Sequence, residues 1–71
     1  MNVAAVNIHY NDAGVKIQVD YENGYVCKIF YRTEDGLVDK IQFYDDNNNL
    51  EETWEYSYDE NLKLISGIQT F

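Results

Sequence analysis

Apolar and polar residues alternate along this chain with a period of two, the period of a strand rather than a helix. Val6, Ile8 and Tyr10 alternate with Asn7 and His9, and Val15, Ile17, Val19 and Tyr21 alternate with Lys16, Gln18 and Asp20. Tyr25, Cys27, Ile29 and Tyr31 form a third row, Leu37, Ile41 and Phe43 a fourth, Trp54, Tyr56 and Tyr58 a fifth, and Leu62 and Leu64 open a sixth. No window of helical length carries a helical stripe. Turn-forming clusters divide the rows every 11 to 14 residues: Asn11 to Gly14, Glu22-Asn23-Gly24, Glu34-Asp35-Gly36, Asp45 to Asn49, and Asp59-Glu60-Asn61. Tyrosine stands directly before four of them, as Tyr10, Tyr21, Tyr44 and Tyr58, and Tyr31 stands shortly before the remaining one. The pattern predicts one all-β domain over residues 1–71, an antiparallel meander of about six short strands built on a repeated hairpin unit.

Register follows from demanding that apolar residues face apolar residues. A three-residue loop at Glu22-Asn23-Gly24 pairs Tyr21 with Tyr25, Val19 with Cys27, Ile17 with Ile29 and Val15 with Tyr31. Gly24 takes the left-handed third position, where a Cβ would clash. The same loop at Glu34-Asp35-Gly36 pairs Ile29 with Ile41 and Cys27 with Phe43. At Asp59-Glu60-Asn61 it pairs Tyr58 with Leu62 and Tyr56 with Leu64, with Asn61 left-handed. A four-residue loop at Asn11 to Gly14 pairs Tyr10 with Val15 and Ile8 with Ile17, and sets His9 opposite Lys16. The pattern does not fix the register across Asp45 to Asn49.

These registers gather the apolar rows on one face, and no helix is available to cover it. A sheet must bury such a face. It can twist strongly and close into a small barrel, fold over as a sandwich, or pair with another copy as a homodimer. The reverse face also carries apolar residues, Val26, Phe30, Val38 and Tyr44.

At 71 residues the chain supports a small core only. Cys27 is its one cysteine, so no internal disulfide forms, and a reduced thiol fits a cytoplasmic setting. The first residues lack a signal peptide's basic flank and apolar run, and no apolar stretch is long enough for a membrane helix. Thirteen acids face five bases, for a net charge of −8. Such a surface repels nucleic-acid phosphates and anionic membranes and attracts a basic protein. Aromatic residues at 15% argue against disorder.

Catalytic chemistry finds little support. His9 reads as a solvated side chain, and nothing places it beside Ser57 or Ser66 as a triad requires. Cys27 lies mid-strand on the apolar face, where a thiolate is disfavoured. One cysteine and one histidine do not make a zinc site. Glu51 and Glu52 point to opposite faces of a strand, and the other acidic pairs lie in turns. Asp45, Asn47 and Asn49 alternate as in a calcium loop, but Leu50 replaces the sixth-place glycine and Tyr56 the twelfth-place glutamate. Lys16, Lys28 and Lys40 fall near Phe30 and Tyr44 on the polar face, but the acids dominate their field. No catalytic residue, metal or cofactor is expected, and the chain reads as a binding module rather than an enzyme.

The strongest charge feature runs from Asp45 to Glu60, which contains no Lys or Arg. Asp45, Asp46, Glu51, Glu52, Glu55, Asp59 and Glu60, with Trp54 as an aromatic anchor, are the expected partner-binding residues for a basic protein. The alternative for this segment is an edge strand kept soluble by its charges.

The stretch Trp54-Glu55-Tyr56-Ser57-Tyr58-Asp59-Glu60-Asn61-Leu62-Lys63-Leu64-Ile65 resembles a unit of the YD-repeat (Rhs-like) family, and Tyr44-Asp45 begins a second match. The resemblance covers about a third of the chain and implies β-hairpins, with no active site. By type, a small acidic domain without catalytic groups is similar to phage-encoded inhibitors of host nucleases, such as anti-CRISPR and anti-restriction proteins. That likeness implies an inhibitor acting in the host cytoplasm by nucleic-acid mimicry on a basic, nucleic-acid-handling partner. The alternative function is a homo-oligomeric structural β-repeat module without an inhibitory role.

Overall fold

The computed structural model describes residues 3–70. It contains β1 (Ala5–Tyr10), β2 (Lys16–Tyr21), β3 (Val26–Tyr31), β4 (Val38–Tyr44), β5 (Leu50–Tyr58) and β6 (Leu64–Thr70). They form one antiparallel sheet in the order β1-β2-β3-β4-β5-β6, so each strand pairs with its chain neighbours. The expected meander of six strands is present. The sheet stays open, with β1 and β6 as free edges, so the small barrel does not form.

The turns explain the strand limits. At Asn11, Asp45 and Asp59 the same device recurs. The residue's N–H donates to the carbonyl four positions on, and its own carbonyl accepts from the N–H three positions on. Its side chain Oδ1 also accepts two backbone N–H groups: those of Ala13 and Val15 for Asn11, of Asn47 and Asn49 for Asp45, and of Asn61 and Lys63 for Asp59. Such Asx hydrogen bonds hold a turn that the strand ladder cannot reach. The third loop residue is left-handed each time: Gly14 (φ 79°), Asn48 (φ 65°) and Leu62 (φ 63°). Glu22-Asn23-Gly24 is the three-residue loop its sequence predicts, with Gly24 at φ 87°.

A β-bulge follows each tyrosine-ended strand except β2. Ile17, Asp39, Glu51 and Ile65 are the extra residues on the returning strands. Bulges move pairings by one place, which period-two alternation does not reveal. The β2–β3 and β3–β4 registers are as expected, with Val19 opposite Cys27, Cys27 opposite Phe43 and Ile29 opposite Ile41. The β3–β4 register is reached differently, through a four-residue loop, Thr33 to Gly36, corrected by the bulge at Asp39. Two expected registers are overturned. Ile8 faces Val19 and Tyr10 faces Lys16, because the loop is Asp12-Ala13-Gly14 and Ile17 bulges; His9 therefore faces Gln18, not Lys16. Tyr58 faces Leu64 and Tyr56 faces Gly67, because Leu62 rather than Asn61 takes the left-handed position and Ile65 bulges. The Asp45 to Asn49 loop sets Phe43 opposite Glu52 and Ile41 opposite Trp54.

The rows Val19–Cys27–Phe43 and Ile29–Ile41–Trp54 therefore share one face. Burial is sparse. Among the described residues, the buried apolar side chains are Val19 (7% exposed) and Cys27 (6%). On the opposite face Lys28 covers the Tyr44 ring at 4.8 Å and Lys40 the Phe30 ring at 5.0 Å, so these lysines shield the reverse-face aromatics. Val26 faces Tyr44, but Val38 leaves that patch because the bulge at Asp39 sets it opposite Tyr31.

Tyrosine hydroxyls tie the hairpins together at the end where β1 meets β2, β3 meets β4 and β5 meets β6. Tyr31 Oη donates to the Lys16 carbonyl at 2.6 Å, and Tyr58 Oη donates to the Val38 carbonyl at 2.7 Å. In each case the last residue of an odd strand caps the first residue of the even strand before it. Tyr31→Phe and Tyr58→Phe are each expected to lower stability by about 1 kcal/mol, the net worth of one hydrogen bond, in urea unfolding. A Cβ on Gly24 would lie 2.9 Å from Asp46 Cβ, whereas Gly14 and Gly36 face open space. All three alanine variants meet the left-handed penalty of about 1–2 kcal/mol. Gly24→Ala is expected to be clearly the worst, and equal midpoints for the three would refute the packing argument.

Candidate functional site

The acidic segment is continuous in sequence but divided in space. β5 separates its ends by roughly 25–30 Å of extended chain. Asp45, Asp46 and Glu51 lie at one tip of the sheet, and Asp59 and Glu60 lie at the other. Between them, side chains alternate. Glu52 faces Phe43 on the apolar side and accepts a hydrogen bond from Gln69. Glu55 faces Lys40 on the polar side. Trp54 faces Ile41 and is half-buried.

Two of the seven acids are engaged by the backbone. Asp45 Oδ1 accepts the amides of Asn49 at 2.8 Å and Asn47 at 2.9 Å. The Asn49 amide is the main reason its carboxyl sits below the usual range. Asp59 Oδ1 accepts the amides of Asn61 and Lys63, each at 2.9 Å. The Asp45 carboxylate thus serves turn closure, and among the described residues no group of three His, Cys, Asp or Glu side chains is placed to hold a metal.

The tip with Asp45 contains a partner that the linear reading missed. Gly24 lies against Asp46, which brings the Glu22-Asn23 turn beside the Asp45-Asp46 turn. Glu22, Asp45, Asp46 and Glu51 therefore share one end of the sheet with no Lys or Arg in either turn. Only the glycine hints at this in sequence, since a tight approach favours a residue without a side chain. The opposite tip is mixed. Arg32 Nη2 lies 2.8 Å from Asp35 Oδ2, and its guanidinium stacks over the Tyr58 ring at 5.2 Å.

A polar triplet lies in the first hairpin. His9 Nε2 lies 2.7 Å from Asp20 Oδ2, while Gln18 Nε2 donates to Asp20 Oδ1 at 2.9 Å. The shifted β1–β2 register creates this triplet on the polar face. Burial pushes the Cys27 thiol up from its ordinary pKa, which keeps it protonated. Open depressions lie beside Arg32 and Asp39 and beside Ile17 and Phe30. No helix among the described residues is long and apolar enough to cross a membrane. No family model matches the chain, and no curated protein matches it.

The Asp20 contacts give a signed pH effect. Hydrogen bonds from His9, then Gln18, lower its carboxyl pKa below 3.8. A depressed carboxyl pKa stabilises the fold above the unfolded value, and that contribution is lost as pH falls through the folded value. An NMR carboxyl titration is expected to place Asp20 below 3.8, with His9→Ala moving it upward. An unchanged midpoint in that variant would refute the contact.

Proposed function

We propose that this chain is a homo-oligomeric structural β-module, in which further copies cover apolar side chains that a single copy leaves in water. The observation that carries this reading is the sparse core, with Val19 and Cys27 as the buried apolar side chains among the described residues. The molecule exposes 5238 Å², against about 4,600 Å² for a compact globule of its mass. The excess approaches the roughly 800 Å² that each partner gives to a standard interface. Val6, Ile8, Tyr10, Leu64, Ile65 and Ile68 contribute prominently to the exposed apolar surface, and all lie on the edge strands.

The second reading is an acidic inhibitor that docks on a basic nucleic-acid-handling protein and mimics its ligand. The paired turns favour it, because they gather Glu22, Asp45, Asp46 and Glu51 at one tip and neither turn contains a Lys or Arg. The half-buried Trp54 and the separation of Asp59 and Glu60 weigh against a single surface made from the whole segment.

Self-association predicts a melting temperature that rises with protein concentration and a sedimentation mass above that of one chain. A folded monomer with a fixed melting temperature from micromolar to millimolar concentration would exclude it. Mimicry predicts salt-sensitive capture of a basic protein that is lost with charge reversal at Asp45, Asp46 and Glu51 while the fold survives. Undiminished capture by that variant would exclude the tip as the contact.

A further inference from the structure

We infer that copies of this chain join head to tail, with β1 of one copy added to β6 of the next so that the meander continues across the junction. The inference rests on the self-association reading and names its contact.

The chain consists of three hairpins, β1–β2, β3–β4 and β5–β6. Each first strand ends in a tyrosine, Tyr10, Tyr31 or Tyr58, and each second strand begins opposite it, at Lys16, Val38 or Leu64. Each hairpin bulges at the residue after that position, Ile17, Asp39 or Ile65. Two junctions between hairpins are made inside the chain, and both use one bond. Tyr31 of the second hairpin caps the Lys16 carbonyl of the first, and Tyr58 of the third caps the Val38 carbonyl of the second.

The series leaves one donor and one acceptor at the two ends of the sheet. Tyr10 is the equivalent donor on β1, and it is 59% exposed, whereas Tyr31 and Tyr58 are half-buried. The Leu64 carbonyl is the equivalent acceptor on β6, beside an exposed side chain. A second copy placed in sequence order sets its Tyr10 at the Leu64 carbonyl of the first. The polarity also fits, because β6 and β1 run in opposite directions, like every adjacent pair in the sheet.

The edge strands carry the chemistry such a junction requires. β1 (AVNIHY) and β6 (LISGIQT) contain no Asp, Glu, Lys or Arg, although the chain's net charge is −8. All four inner strands carry charged residues. Sheets that must stay single place charge on their edges; this one does the reverse. A head-to-tail contact joins two different surfaces, so one contact leaves both outer edges free for further addition.

The test uses the full chain and two edge variants. Val6 and Ile65 are each 64% exposed bulge residues without a cross-strand partner, so both accept a carboxylate without loss of packing. Val6→Glu blocks the β1 edge and Ile65→Glu blocks the β6 edge; circular dichroism verifies that each folds. In sedimentation, each variant alone is expected to be monomeric, and an equimolar mixture is expected to form a 1:1 dimer through the two unblocked edges. Tyr10→Phe is expected to weaken wild-type association about fivefold, one hydrogen bond's worth, without changing the unfolding of the dilute monomer. If each blocked variant still associates like the wild type, the edges are not the contact and the head-to-tail inference fails while self-association stands. If one variant alone forms dimers and the mixture forms nothing new, like edges pair and the inference again fails. If the wild type is monomeric up to millimolar concentration, both the inference and the reading beneath it fail.

Discussion

Three side-chain oxygens set the geometry on which the rest of this sheet depends. Asn11, Asp45 and Asp59 each turn Oδ1 back on two amides of their own loop, which holds the third loop residue left-handed. In each of these three hairpins the returning strand carries one extra residue, Ile17, Glu51 or Ile65. The bulges decide which side chains share a face, where each terminal tyrosine lies, and which carbonyl it reaches. At Leu62 the oxygens of Asp59 and the surrounding ladder hold a leucine at φ 63°, a conformation it would not choose alone.

This dependence also decides what could be read from the amino-acid order. Strand number, strand order and the central pairings are visible because Val19, Cys27, Ile29, Ile41 and Phe43 can share one apolar face and Gly24 and Gly36 mark the turns between them. The outer registers were hidden. Alternation is insensitive to one inserted residue, and Ile17 and Ile65 are apolar, so each looks like an ordinary member of its row. Asn61 looked like the left-handed residue by propensity, but the reach of Asp59 Oδ1 to Asn61 and Lys63 moves that role to Leu62.

The acidic segment is divided between the two ends of the sheet for a related reason. Neighbouring acids in a strand alternate sides, and β5 is long enough to divide the remainder between opposite ends. The acidic tip was legible only in part, because Glu22 joins it through a contact between two turns distant in sequence. The tyrosines show the converse case. Their recurrence before turns was plain, but their partners, Lys16 and Val38, contribute only backbone carbonyls. No side-chain pattern can reveal such acceptors, because every residue has one.

Among the described residues every strand packs against its neighbours in the chain and against no other strand. Such a molecule behaves as a linear array, its cohesion a sum over successive junctions rather than the property of one shared core. Opening starts at the ends and proceeds inward, because an outer hairpin has one neighbour to hold it and the middle hairpin has two. The same arithmetic governs its evolution. Duplication or loss of a hairpin adds or removes one unit and one junction and leaves the others unchanged, so hairpin number can drift in descendants without a new fold being invented.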